Sequence, residues 1–158
     1  MMGLTWQEHR ALHRLLAGIA DAPKARQMRH YIQHGSITTY RHCADVTRMC
    51  FWLNRRFHLG ADEATLVRGA FLHDLYLYDW HEKEGDHKWH GFHHAGRALE
   101  NADRFFSLNQ KERHMIHCHM WPLNLTRLPR CREAVILCLA DKICALRETL
   151  FYRQKRGT

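Results

Sequence analysis

The sequence lacks any long apolar segment and any pair of closely spaced cysteines. No stretch approaches the roughly 18 consecutive apolar residues that a membrane span requires. Residues 1–20 carry His, Arg and Glu where a signal peptide has an apolar run. We therefore expect a soluble, cytoplasmic protein with no membrane partner. The six cysteines form no CxxC pair, so we expect them to be reduced and to serve as small core residues.

Strand patterns are scarce, and no linker rich in Gly, Pro or Ser divides the 158 residues. Apolar residues recur instead at spacings of three and four, which is typical of helices. Helices are expected at about 5–18, 22–33, 38–60, 62–76, 92–105, 109–119 and 131–153. The polar segment 79–91 is expected to be a loop. The sequence thus predicts an all-α protein, a single compact helical domain of about six to seven helices spanning residues 1–158.

Basic residues and histidines are abundant. The formal net charge of +8 suits a polyanionic partner, such as nucleic acid, a nucleotide or another phosphorylated molecule. The basic residues are scattered and lack a row of stacking aromatics, which makes nucleic acid the less favoured of these. The 15 histidines raise the expectation of a metal site, since histidine is the commonest metal ligand.

Three predicted helices carry ionisable side chains on their apolar faces. They are His42 on the third helix, His73 with the adjacent Asp74 on the fourth, and Asp141 on the last. His73 shares its predicted stripe with Leu77. A buried, unpaired carboxylate is costly unless a cation or strong donors offset its charge. These faces therefore predict a divalent metal site, whose nitrogen and oxygen ligands suit Fe, Mn, Co, Ni or Zn.

Two further histidine clusters lie between these helices, in "WHGFHHAGRALENA" and "HMIHCHMWPL". His94 is expected to point inward, and His119 lies at a helix end. A shift of one or two residues changes the helix face, so the choice among His90, His93 and His94, and between His117 and His119, stays open. The alternative for each is a solvated surface histidine or a hydrogen-bonded core histidine.

The order of these residues resembles the HD-domain superfamily of metal-dependent phosphohydrolases. Its signature is a helix His, an adjacent His-Asp pair and a late helix Asp. The additional histidines before the last Asp resemble the dinuclear branch, which includes cyclic-dinucleotide phosphodiesterases. The strings "TTYRHC", "RGAFLHDLYLYDW", "HGFHHAGRALENA", "HMWPL" and "ADKICA" also resemble small bacterial HD proteins. The resemblance spans about residues 34–150.

The resemblance implies a dinuclear site in which Asp74 bridges two metals and takes part in catalysis. The first metal would also be held by His42, His73 and Asp141, and the second by His94 and His119. The implied cofactor is one or two divalent transition metals per chain, with Mg as a further candidate. Leu77 replaces a lysine common in the phosphodiesterase branch, and the Gly-Tyr-Pro motif of that branch is missing. Hydrolysis of cyclic dinucleotides is therefore not expected.

The expected reaction is hydrolysis of a phosphomonoester or phosphodiester, from a nucleotide or small phosphorylated metabolite, through a metal-bridged hydroxide. Positive side chains would compensate the charge that develops on the phosphoryl group. Arg97 and Lys142 are the candidates for catalysis, and both are expected to contact substrate together with His34 and Arg130. Arg127 is a further candidate, and His34 is placed as a proton donor. The alternative for each cation is a solvated surface charge.

Other classes of protein fit the same pattern. Some dinuclear HD proteins resemble this ligand order and use mixed-valence di-iron to oxidise a substrate. A non-catalytic helical module that binds nucleic acid or protein around a structural metal is the second alternative. A zinc site built from Cys118, Cys131 and nearby histidines matches no familiar finger spacing. The sequence does not predict the oligomeric state.

Overall fold

Helices make up most of the structure, as the sequence predicts. The computed structural model describes residues 3–79 and 90–156, and the side chains within 3–79 and 94–150. In chain order the elements are α1 (Trp6–Leu15), α2 (Pro23–Gln27), a 3₁₀ turn (Met28–His30), β1 (Ile32–His34), β2 (Ile37–Thr38), α3 (Thr39–Arg56), α4 (Glu63–Leu72), α5 (His90–Phe105), α6 (Gln110–Cys118) and α7 (Arg132–Arg156). The all-α class is confirmed. The loop expected at 79–91 lies mostly outside the described residues, and its last two residues belong to α5.

A 3₁₀ turn and the first strand of a β-hairpin replace the second half of the helix predicted at 22–33, and that prediction is wrong beyond Gln27. β1 pairs with β2 in antiparallel orientation, with Ile32 opposite Thr38. Gly35 adopts a φ of +60°, which glycine tolerates without strain and which turns the chain between the strands. The hairpin matters for the site because it holds Gln33 in the interior, where the side chain is only 7% exposed.

Helix α4 ends four residues earlier than predicted, at Leu72. His73 is the C-cap, and its Nδ1–H donates to the carbonyl of Ala70 at 2.7 Å. In a continuing helix that carbonyl would accept from the N–H of Asp74, so the side chain competes with the helix. Leu77 has a φ of +58°, outside the helical region. The predicted stripe from His73 to Leu77 is therefore wrong, although His73 does face the interior.

Two helices begin at the predicted N-caps, while two helices end earlier than predicted. The Thr38 hydroxyl accepts from the N–H of Arg41, and the Asp62 carboxylate accepts from the N–H of Thr65 at 2.8 Å. α3 ends at Arg56 rather than near Gly60, and α1 ends three residues early, at Leu15. No helix among the described residues is long and apolar enough to cross a bilayer.

Four helices, α3, α4, α6 and α7, share one apolar core. Residues from all four meet in a cluster that includes Cys50, Leu66, Met115 and Leu137. All six cysteines are free, and all except the half-buried Cys131 are buried, as expected of small core residues. Because these helices bury one face each against the others, the polar residues on those faces are brought together.

The loop between α3 and α4 is anchored by Asn54. Its Nδ2 donates to the carbonyl of Ala61 at 3.1 Å, and its Oδ1 accepts from the N–H of Ala61 at 3.0 Å. We expect Asn54→Ala to lower the free energy of unfolding by about 2 kcal/mol or more, because it leaves two buried backbone groups without partners. Asn124→Ala, which removes only a contact to the exposed Thr126 hydroxyl, is the control. Equal denaturation midpoints for the two variants would contradict this role.

Candidate metal centre

Six ionisable side chains from five segments meet in the interior between the helices. Each is at most 8% exposed. They are His42 in α3, His73 and Asp74 directly after α4, His94 in α5, His119 directly after α6 and Asp141 in α7. These are the six residues that the resemblance implies as ligands, and the structure places all of them together.

The first group consists of two histidines and two carboxylates. His42 Nε2 lies 3.1 Å from Asp141 Oδ1 and 3.9 Å from Asp74 Oδ2. His73 Nε2 lies 3.4 Å from Asp74 Oδ2 and 3.7 Å from Asp141 Oδ1. Nitrogen and oxygen donors at these separations can share one divalent transition metal.

The second group lies on the other side of Asp74. The Nε2 atoms of His94 and His119 each lie 3.3 Å from Asp74 Oδ1 and 2.9 Å from each other. Asp74 thus presents Oδ2 to the first group and Oδ1 to the second. A carboxylate in this position is suited to bridge two cations, which is the role that the resemblance implies and which stays a prediction.

Two of the histidines are oriented by the same kind of local hydrogen bond. His119 is the C-cap of α6, and its Nδ1–H donates to the carbonyl of Ile116 at 2.8 Å, as that of His73 does to Ala70. In the neutral imidazole this tautomer leaves the Nε2 lone pair facing Asp74. Both rings are therefore held with their ligating nitrogen toward the carboxylates.

The centre contains hydrogen-bond acceptors that lack donors. His73 Nε2 and Asp74 Oδ1 are buried and have no hydrogen-bond partner among the described residues. Buried acceptors of this kind are costly unless a proton or a cation lies between them. The donor set of imidazole nitrogens and carboxylate oxygens matches what divalent transition metals bind, so the residues fit such a cation.

The electrostatics of the cluster follow from burial opposed by close pairing. Burial alone lowers the pKa of His42, but its hydrogen bonds to Asp141 and Glu148 outweigh that and raise the pKa to about 10. Burial raises the pKa of Asp74, but the charge of His73 and the neighbouring imidazoles hold it well below its usual range. Burial lowers the pKa of His119 to about 4. Metal binding would therefore compete with protons at His42.

Two further residues orient the ligands, and sequence reasoning missed both. Glu148 accepts from His42 Nδ1–H at 3.0 Å, and Gln33 Nε2 donates to Asp74 Oδ2 at 2.7 Å. The Tyr76 hydroxyl donates to Gln33 Oε1 and so fixes the orientation of that amide. Glu148 follows Asp141 by two helical turns on the same face, a spacing that could have identified it. No sequence signal identifies Gln33, because its segment is predicted to be helical and its role depends on the hairpin.

The residues predicted to contact substrate divide into two sets. Lys142 Nζ donates to Asp141 Oδ2 at 2.9 Å, and the half-buried His34 packs edge-on against His42 with ring centroids 5.6 Å apart. Arg97 is exposed, and its charge acts on Tyr78, where it opposes the effect of burial on the pKa. Lys142 and His34 thus contact residues of the centre, Arg97 follows His94 by three residues in α5, and the roles of all three toward substrate stay predictions.

The second set lies apart from the ligand cluster. Arg127 Nη1 donates to the carbonyl of His117, and the backbone N–H of Arg130 donates to His114 Nε2.

His117 is half-buried and lies outside the ligand cluster, which leaves His119 as the histidine of that pair at the centre. The side chains of His90 and His93 are not among those described. The described clusters able to hold a metal include no cysteine, so a zinc site at Cys118 and Cys131 has no support from them.

The fold and the centre together define a helical protein with a buried His/Asp cluster that could hold metal ions. A model of the HD domain family matches residues 39–146, which is more than half of the chain and includes all six ligand candidates. The chain belongs to the HD domain family, a superfamily of metal-dependent phosphohydrolases that bind divalent metals. No curated protein and no solved structure matches the chain.

Metal content tests the ligand assignment. We expect the purified protein to carry about one to two divalent metals per chain, with two when both groups around Asp74 are filled. Asp74→Ala should remove most of that metal because both groups share this carboxylate. The control is Asp103→Ala, which removes only a surface ion pair with Arg113. Full metal content in the Asp74 variant, measured by elemental analysis, would contradict the assignment.

Glu148 is expected to strengthen metal binding by fixing the tautomer and orientation of His42. Glu148→Ala should weaken the metal affinity by about 10–100-fold, as loss of such outer partners does. Glu148→Gln retains an oxygen that can accept from Nδ1–H and should lose less. Competition with a chelator measures both affinities, and the exposed Glu100→Ala is the control. An unchanged affinity in Glu148→Ala would show that the contact does not orient His42.

Proposed function

We propose that the protein hydrolyses a phosphomonoester or phosphodiester of a nucleotide or another small phosphorylated metabolite. The observation that carries this proposal is the pair of imidazole and carboxylate groups that share Asp74. Divalent cations held there would supply Lewis acidity, which lowers the pKa of water and polarises phosphoryl oxygens. Membership of the HD domain family agrees with this class of reaction.

Hydrogen bonds hold the candidate ligand side chains in fixed orientations. His73 and His119 are tied to backbone carbonyls, His42 is held by Glu148, and Asp74 is held by Gln33. Their positions are therefore set before substrate arrives, and little reorganisation is needed during the reaction. Residues that are already oriented provide more stabilisation of the transition state than mobile ones would.

The partly exposed residues beside the centre indicate where substrate would meet it. Lys142 has a side chain 38% exposed and is anchored by Asp141 and by the carbonyl of His119. It would place a positive charge beside phosphoryl oxygens. The exposed Arg97 would add a second charge from α5. These cations, with the net charge of +8, favour an anionic substrate.

His34 is proposed as the proton donor to the leaving group. It lies in β1 at the edge of the centre, half-buried, with its ring against His42. Burial is the main cause that lowers the pKa of His34, and the charge of His42 adds to the effect. A lowered pKa leaves less of His34 protonated near neutral pH, so its proposed role as donor rests on its position beside His42 and not on its pKa.

Leaving groups of different acidity test this role. His34→Ala should reduce the rate about 100-fold for an alkyl or nucleoside phosphate, whose leaving group needs a proton. The loss should be much smaller for p-nitrophenyl phosphate, whose leaving group does not. Asp74→Ala should abolish both activities, and the exposed His30→Ala should leave both unchanged. Equal losses for the two substrates would exclude His34 as the donor.

The proposal fails if the metal-loaded protein releases no phosphate or alcohol from any of a panel of nucleotides and phosphorylated metabolites. The di-iron alternative is distinguished in the same experiment. It requires oxygen uptake by anaerobically reconstituted iron protein, whereas hydrolysis proceeds without oxygen. A binding module with a structural metal would give neither activity.

A further inference from the structure

A second cluster of positive and hydrogen-bonding groups lies outside the metal centre. It lines a cavity of about 180 Å³ between the outer face of α6 and the loop that leads to α7. We name this the Arg127–Arg130 pocket, and its polar walls are His114, His117, Thr126, Arg127 and Arg130. Since a water molecule occupies about 30 Å³ in the liquid, the cavity has room for a phosphate group.

The two arginines of this pocket have no carboxylate partner among the described residues. Arg127 makes one long hydrogen bond of 3.4 Å to the carbonyl of His117, and Arg130 has no side-chain hydrogen bond or ion pair within the described structure. Burial lowers the pKa of His114, and the charge of Arg130 lowers it further. The pocket therefore carries uncompensated positive charge.

The pocket is also held in shape. The backbone N–H of Arg130 donates to His114 Nε2 at 2.9 Å, which ties the loop to α6. Arg127 ties the same loop to the carbonyl of His117. In addition, His117 Nε2 is buried with no hydrogen-bond partner among the described residues. A preformed wall with unused hydrogen-bonding capacity is typical of a ligand site.

A larger neighbouring cavity differs in containing a carboxylate. It measures about 730 Å³ and also borders Arg130. In it Lys111 pairs with the buried Glu133 at 3.1 Å, whereas no carboxylate lines the Arg127–Arg130 pocket. Arg132 donates to the carbonyl of Gly60, much as Arg127 donates to that of His117.

We propose that the Arg127–Arg130 pocket binds a phosphate-class oxyanion separately from the metal centre. Two guanidinium groups offer paired N–H donors that match the oxygens of a phosphate group. The site goes beyond the proposed hydrolysis and does not depend on it. His117 lies two residues before His119, so an anion bound here would contact the chain segment that delivers a ligand to the centre.

Binding of inorganic phosphate and of pyrophosphate to the full chain tests the site. Calorimetric titration is carried out on metal-free protein, so that the centre contributes no metal-dependent binding. We expect saturable binding that the Arg127→Ala, Arg130→Ala double variant weakens about tenfold or more, because charge-assisted bonds are lost. Arg127→Lys should retain part of the affinity, and the exposed Arg26→Ala should retain all of it.

The outcomes separate this site from the centre. Binding that survives in the double variant, or that Asp74→Ala abolishes, would overturn the proposal. If metal-free protein is unfolded by circular dichroism, the phosphate-induced rise in melting temperature of metal-loaded wild type and double variant replaces the titration, and equal rises overturn it.

Discussion

Burial of the Asp74 carboxylate is the constraint on which the centre depends. An isolated carboxylate at 2% exposure would be strongly destabilising, so the surrounding structure must compensate its charge. Four imidazoles approach it, and Gln33 donates to the oxygen that faces the first group. HD domains bind divalent metals, whose charge would compensate this carboxylate, and the geometry here fits such binding.

Helix ends do much of the positioning. His73 and His119 each stop their helix by taking the carbonyl three residues earlier, and the same bond selects the tautomer that ligates through Nε2. One hydrogen bond thus gives a terminal carbonyl its partner and also orients a candidate ligand. The metal centre therefore lies where α4 and α6 terminate rather than along their sides.

Much of this could be predicted from the sequence, because the ligands interrupt apolar faces and the family signature orders them. His42 and Asp141 lie on regular helices, where periodicity identifies the buried face. The end of α4 could not be predicted, because it results from a side chain competing with the backbone at His73. The hairpin was missed because its strands have only three and two residues, too few for alternation to emerge. The role of Gln33 could not be predicted either, because it requires contact with Asp74, a residue 41 positions away.

The ring of His42 is bonded at both nitrogens to α7, by Asp141 on one side and Glu148 on the other. The imidazole is thus a polar contact between α3 and α7, added to their shared apolar core, as well as a candidate ligand. A substitution at His42 would alter helix packing and the candidate site together, so a loss of metal in such a variant could be assigned to coordination only after its stability had been compared with that of the wild type.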